Sequence, residues 1–139
     1  MSLFNVLDVS ASGMSAQSVR LNTTASNLAN ANSVSSSADT TYRARNPVFS
    51  AELNKAQSQQ QSDVKVKVLG VVESEAPLTR EYMPNHPMAD DSGFIFRSNV
   101  NVVEEMANMM SASRSYQTNV QIADAAKQML SKTLQIGRN

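Results

Sequence analysis

The sequence first limits the possible functions through what it lacks. It contains no cysteine and no tryptophan, and only 5% of its 139 residues are aromatic. The absence of cysteine excludes disulfides, thiolate chemistry and cysteine-type zinc sites, and it leaves the redox compartment open. The four glycines are widely separated, so they form no glycine-rich phosphate loop. The scarcity of aromatic residues limits the bulky side chains available to a core.

Neither sign of charge predominates. Twelve Lys and Arg residues balance 12 Asp and Glu residues, and no large basic cluster indicates binding to nucleic acid or to an anionic membrane. The first residues, MSLFNVLDVSASGM, lack a positively charged segment and carry Asp8 where a signal would be apolar. We therefore expect no cleaved secretory signal. No run approaches the roughly eighteen apolar residues of a membrane-spanning helix.

Residues that could support catalysis are isolated from one another. His86 is the single histidine and lies between Asn85 and Pro87 with no second ligand type beside it, which is typical of a turn. Asp90 and Asp91 precede Gly93 and are better explained as turn formers than as a catalytic pair. No nucleophile can be paired with a base, so we expect no enzymatic activity, metal, cofactor or small-molecule substrate.

The N-terminal segment, residues 1–32, has helical periodicity. Leu7, Met14, Leu21 and Leu28 repeat every seven residues, which is the spacing of a coiled-coil seam on a helix about 44 Å long. Intermediate seam positions are Ala or Ser, so a helix that packs only on its own small core is an equally good interpretation of the periodicity.

The C-terminal segment, residues 98–139, repeats the same pattern. Asn101 and Glu104 form a capping-box arrangement at its start, and Gly137 is the expected stop. The predicted helix is about 54 Å long. Its seam alternates spacings of four and three residues: Val102, Met106, Met109, Ser113, Tyr116, Val120, Ala123, Lys127, Leu130 and Leu134. We expect the two terminal helices to pair as a coiled coil.

The segments between the helices differ from them in composition. Residues 33–63 carry serine-rich and glutamine-rich runs around an island of bulky side chains at 42–53, and predict a flexible loop with a docking island. Residues 64–97 alternate Val and Lys, then contain three prolines and the turn residues 90–93, which predicts a small antiparallel β region. The expected fold class is mainly α with a small β segment.

The stretch SVRLNTTASNLANANS, residues 18–33, contains four Asn, two Thr and three Ser residues. Such residues weaken an exposed helix, whereas an amide at an interface both donates and accepts without a charge to desolvate. Apolar residues off the seam, such as Ile122 and Met129, indicate helices packed by several neighbours. We therefore expect Asn27 and Asn30 to form hydrogen bonds to adjacent subunits.

Two longer motifs carry a resemblance to a known family. SASGMSAQSVRLNTTASNLANANS resembles the N-terminal signature of bacterial flagellar rod, hook and related axial proteins. HPMADDSGFIFRSNVNVVEEMANMMSASRSYQTNVQ is similar to the C-terminal half of the proximal rod proteins of that family. The resemblance covers about two-thirds of the chain, and residues 33–63 carry little of it.

The resemblance implies a structural subunit of the rod in the flagellar basal body. It implies export by the flagellar type III apparatus without a cleaved signal, and assembly into a periplasm-spanning tube that transmits torque. The implied partners are copies of the chain, other proximal and distal rod proteins, the rod adaptor and the inner-membrane ring. A cytoplasmic export chaperone or adaptor is the alternative from another class, although its usual acidic charge is absent. The packing residues in this interpretation are Leu7, Met14, Leu21, Asn27, Leu28, Asn30, Met106, Met109, Tyr116, Val120, Leu130 and Leu134.

Overall fold

The structure confirms two long helices, one towards each end of the chain, with short strands between them. It is a computed structural model that describes residues 3–55 and 62–137. Most of the glutamine-rich run therefore lies outside the described residues. The elements are α1 (Leu3–Ala29), β1 (Val34–Ser35), β2 (Arg45–Lys55), β3 (Ser62–Glu73), β4 (Thr79–Tyr82), β5 (Phe94–Arg97) and α2 (Val102–Ile136).

The strands form two separate small sheets. In the first sheet, β5 pairs with β1 and β4, and both pairings are antiparallel. The second sheet contains only β2 and β3 among the described residues. Two of these strands, β1 and β2, lie in the 33–63 segment for which the sequence predicted a loop. The alternation in β2 is weak, because Ser50 and Ala51 occupy positions where a strand usually carries branched residues.

The chain divides into two compact units, each built from segments that are distant in sequence. The first unit comprises the described residues of Met1–Val19, Val48–Gly70 and Ser111–Asn139. The second unit comprises Arg20–Pro47 and Val71–Met110. Each unit thus contains part of α1, part of α2 and part of the β2–β3 sheet. No helix in the described residues is long and apolar enough to cross a bilayer.

The buried residues of the second unit are mainly polar. Ile95 on β5 and Ala44 are the buried apolar side chains in this unit's part of the described chain. The buried polar residues are Thr23, Thr24, Asn27, Ser35, Thr41, Ser98 and Glu105.

The predicted turn at Asp90 is present, because Asp90 Oδ1 accepts hydrogen bonds from the N–H groups of Ser92 (2.9 Å) and Phe94 (2.8 Å). Gly93 has a φ of 78°, which only glycine adopts without strain.

The first unit buries only small side chains among its described residues: Ser10 and Ala16 on α1, and Ala112 and Ala126 on α2. The two helices approach closely here, because a Cβ atom at Gly13 would lie only 2.8 Å from Asn119 Nδ2. Large apolar side chains in this unit are half-buried or exposed. Close packing of small residues leaves little apolar area removed from water, so this unit gains little hydrophobic stabilisation.

The start of α2 agrees with the predicted cap. Asn101 Oδ1 accepts hydrogen bonds from the N–H groups of Val103 (3.1 Å) and Glu104 (3.4 Å), and α2 ends one residue before Gly137. In the second unit, Arg20 Nη2 on α1 donates to Asn108 Oδ1 on α2 over 2.8 Å. The helices therefore contact each other within both units, while their pairing as a coiled coil stays a prediction.

Candidate assembly site

The end of α1 is tied to the start of β2 by a single asparagine. Asn27 is only 1% exposed. Its Oδ1 accepts hydrogen bonds from the Arg45 backbone N–H (2.9 Å) and the Tyr42 hydroxyl (2.9 Å), and its Nδ2 donates to the Arg45 carbonyl (2.8 Å). The side-chain amide thus pairs with both backbone groups of Arg45, as a neighbouring strand would.

Side chains around Asn27 reinforce this junction. The Tyr42 hydroxyl lies 3.1 Å from Ser26 Oγ, and the Arg45 guanidinium lies 5.4 Å from the centre of the Tyr42 ring. Arg45 also forms an ion pair with Glu73 over 3.2 Å. Both partners of that ion pair are about half exposed, so it adds little stability. The buried amide of Asn27 is therefore the main polar connection at this place.

A second asparagine, from the segment before α2, binds the residues just before β2 and just after β3. Asn99, which lies between β5 and α2, accepts a hydrogen bond at Oδ1 from the Ala44 N–H (2.7 Å). Its Nδ2 donates to the Ala76 carbonyl (2.9 Å). We call Asn27 and Asn99 the asparagine clamp, because together they fix the residues that enter β2 and leave β3.

The sequence prediction named Asn27 of the clamp as a packing residue, but it did not identify the partners of Asn27 within the chain. It placed Tyr42 in a docking island, and Tyr42 does reach α1. It missed Asn99, because an asparagine before a capped helix carries no signal of a partner 55 residues away. Asn27 and Asn30 both bond within the chain, since Asn30 Nδ2 donates to the Ser26 carbonyl over 2.9 Å. Bonds from either residue to adjacent subunits stay a prediction.

The predicted seam residues lie at the surface or are partly covered. None of them except Asn27 is buried. Met106, Tyr116 and Leu134 are exposed, and Leu134 is exposed by 72%. Their contacts with other subunits stay a prediction. The half-buried members are Leu7, Met14, Leu21, Leu28, Asn30, Met109, Val120 and Leu130.

The line of α2 that is buried differs from the predicted seam by one residue. Glu105, Ala112 and Ala126 are buried, and half-buried Asn119 occupies the missing position of this seven-residue repeat. A sequence analysis that looks for large apolar residues does not find this repeat, because its residues are small or polar. The close approach that small side chains allow is what places them inside.

Large apolar side chains are exposed along the length of α2. Patches of this kind on a helix indicate surfaces that another molecule removes from water. The structure thus gives α2 a line of small buried residues and an apolar exterior. The exposed residues are Val102, Val103, Met106, Met110, Tyr116, Ile122, Met129, Leu134 and Ile136.

Within the described residues there is no group of three or more His, Cys, Asp or Glu side chains that could hold a metal ion. His86 lies in a turn, where its Nδ1 accepts a hydrogen bond from the Met88 N–H over 3.1 Å. The arrangement of side chains is therefore suited to holding backbone segments and to presenting apolar surface.

Family models match both ends of the chain. Residues 7–35 match the model described as "Flagella basal body rod protein". Residues 91–136 match the model described as "Flagellar basal body rod FlgEFG protein C-terminal". The first match contains Asn27 of the clamp, and the second contains Asn99 and all of α2.

Curated relatives align with the chain over almost its whole length. The flagellar basal-body rod protein FlgC of Salmonella typhimurium is 45% identical over 138 residues, which cover 99% of this chain and 100% of the relative. The protein of the same name from Escherichia coli is 46% identical with the same coverage. That from Aquifex aeolicus is 38% identical over 135 residues and 97% of each chain. Proteins of this family are structural and not enzymes. The chain therefore belongs to the FlgC family of flagellar basal-body rod proteins.

Proposed function

We propose that the chain is a subunit of the proximal part of the rod, where the packing of its terminal helices helps to transmit motor torque across the periplasm. In this proposal the flagellar type III apparatus exports the chain without a cleaved signal. The chain then becomes ordered as neighbouring subunits cover α1 and α2. Its partners are copies of itself, other proximal and distal rod proteins, the rod adaptor and the inner-membrane ring.

The observation that carries the proposal is the exposed apolar surface of α2 after residue 110, in a unit whose buried side chains are only Ala and Ser among the residues that the structure describes. An isolated unit of this kind gains little from hydrophobic burial, whereas conformational entropy costs about 1 to 2 kcal/mol for each ordered backbone residue. Neighbours that cover Ile122, Met129 and Ile136 would supply the missing apolar burial. A marginal helix also suits export, because unfolding it before passage requires little free energy.

The proposal is tested by replacing two exposed apolar residues of α2 in a strain that lacks its own copy of the gene. Ile122→Ser combined with Met129→Ser should leave the circular dichroism of the isolated chain nearly unchanged, because both side chains are exposed. The same variant should be lost from purified basal bodies, and motility should fall. The matched control is Gln121→Ser combined with Gln128→Ser, which changes exposed polar neighbours on the same helix.

Export and assembly are distinguished by locating the variant chain. Accumulation outside the cytoplasm without incorporation into basal bodies would support a defect in packing. Full incorporation and normal motility of the Ile122 and Met129 variant would refute the proposed packing surface. A wild-type chain that stays in the cytoplasm as a stable dimer, and is absent from basal bodies, would instead favour the chaperone alternative.

A further inference from the structure

A polar cavity of about 410 Å³ lies in the second unit. It is formed by the turn after α1, by β1 and the connection that follows it, by Arg45 at the start of β2 and by Glu73 at the end of β3. Its volume is in the range of small-molecule sites, but such sites are lined mostly by apolar side chains. Here Val34 is the one aliphatic side chain among the described residues that line the cavity. The cavity is therefore suited to a ligand that is itself rich in hydrogen-bonding groups.

Hydrogen bonds within the chain hold the walls of this cavity in place. Ser35 and Thr41, which both line it, are buried. The Ser35 hydroxyl is hydrogen-bonded to the hydroxyl of Thr40, and Thr41 Oγ1 donates to the Ser37 carbonyl over 2.6 Å. A hydroxyl that donates one hydrogen bond keeps lone pairs that can accept another. The cavity is therefore formed before any ligand arrives, and its hydroxyl oxygens can accept hydrogen bonds from that ligand.

The charged side chains of the cavity balance one another. Arg43 and Arg45 line it together with Asp39 and Glu73. Arg45 is paired with Glu73 over 3.2 Å, whereas Arg43 and Asp39 form no ion pair with any residue that the structure describes. An isolated phosphate or metal ion would meet a like charge beside each opposite one, and like charges repel. A ligand without net charge fits this lining better, because its hydroxyl groups can donate to carboxylates and accept from guanidinium groups.

We infer that the cavity binds a short saccharide that bears N-acetyl groups. The Asp39 carboxylate accepts hydrogen bonds from the sugar hydroxyls, and the Arg43 guanidinium donates to them. Asn30 Nδ2 is already bonded to the Ser26 carbonyl over 2.9 Å, so Asn30 Oδ1 is the atom that accepts from an acetamido N–H. The half-buried Tyr42 ring provides an aromatic surface for the C–H groups of a sugar. This inference goes beyond the proposed rod function, and its failure would leave that function intact.

The test titrates the isotope-labelled full chain with the disaccharide N,N′-diacetylchitobiose and follows the backbone amide signals by NMR. We expect saturable shifts of the amides of residues 30–45, with a dissociation constant of roughly 1 mM, since the contact consists of a few solvent-exposed hydrogen bonds. The amides of β4 are the internal reference, because β4 lies in the same unit and contributes no residue to the cavity.

Asp39→Asn separates binding in the cavity from contact elsewhere on the chain. Asp39 is exposed, so its substitution should leave folding unchanged while weakening the binding of the disaccharide by about three- to tenfold. The matched control is Asp91→Asn, which removes an exposed carboxylate of the same unit that lies outside the cavity and should bind as the wild type does. Equal affinities of the two variants would overturn the inference.

A dipeptide of lysine and glutamate tests the other class of occupant. It carries opposite charges for Asp39 and Arg43 but no sugar hydroxyls. Shifts of the cavity amides with the dipeptide and none with the disaccharide would overturn the inference, and would indicate a charged peptide segment of another protein. Absence of shifts at about ten times the expected dissociation constant, in a chain whose β4 signals show that it is folded, would overturn it as well.

Discussion

The two units of the chain differ in the kinds of contacts that hold them together. In the second unit, the buried amide of Asn27 and the half-buried amide of Asn99 form long-range hydrogen bonds to the backbone of residues 44 and 45. In the first unit, buried side chains are only Ala and Ser among the described residues, and large apolar side chains face outwards. The second unit is thus held by its own long-range hydrogen bonds, whereas coverage of the first unit by neighbouring subunits stays a proposal.

Replacing the clamp residue Asn27 should produce the largest loss of stability. Asn27→Leu leaves the Arg45 backbone groups and the Tyr42 hydroxyl without their buried partner, and should destabilise the second unit by roughly 2 to 4 kcal/mol. Urea unfolding followed by circular dichroism measures this change. Asn30→Leu is the control, because Asn30 makes one local bond at the helix end. Equal losses of unfolding free energy in the two variants would show that the hydrogen bonds of Asn27 do not stabilise the second unit.

Gly93→Ala should produce a smaller loss in the same unit. The φ of Gly93 is 78°, and an added Cβ atom would lie 2.9 Å from the Tyr82 ring and 3.2 Å from Pro84. Strain of this kind costs about 1 to 3 kcal/mol. Thermal unfolding compares this variant with Gly137→Ala, where an added Cβ atom meets only ordinary van der Waals contacts, the nearest at 3.7 Å. An unchanged midpoint for Gly93→Ala would mean that the turn relaxes without cost.

Hydrogen exchange on the isolated chain compares the two units directly. We expect the amides of β4 and β5 in the second unit to exchange at least about tenfold more slowly than those of α2 after residue 111. The physical reason is the small apolar area buried by the first unit. Comparable protection in both regions would contradict the idea that the first unit waits for neighbours.

The contact of Gly13 with Asn119 should give the smallest net effect. Gly13→Ala raises helix propensity by about 1 kcal/mol, but its Cβ atom would displace the Asn119 amide from its position 2.8 Å away. We expect these effects nearly to cancel in chemical unfolding. Adding Asn119→Ala should reveal the gain, and an additive double-mutant cycle would show that the two residues do not interact in the first unit.

The helices could be predicted closely from the sequence, whereas the asparagine clamp could be predicted only in part. Periodicity and caps identified α1 and α2, and the turn residues identified Asp90 and Gly93. The strands within residues 33–63 were missed, because β1 has only two residues and because Ser50 and Ala51 weaken the alternation that marks a strand in β2. Asn99 and the partners of Asn27 within the chain were missed, because both depend on which distant backbone segments the fold brings near the two side chains.

The sequence alone therefore determined the helical ends, the absence of cysteine chemistry and the family resemblance, since these depend on local spacing and on residue identity. Only the tertiary structure decided which face of each helix is buried. The heptad of large residues, Leu7 to Leu28, is half-buried, while the buried positions on α1 and α2 are held mainly by Ala, Ser, Thr and Asn. Small side chains let the backbones approach closely, and hydrogen bonds satisfy the buried polar side chains. Close packing and hydrogen bonding therefore decided which side chains are buried, more than their hydrophobicity did.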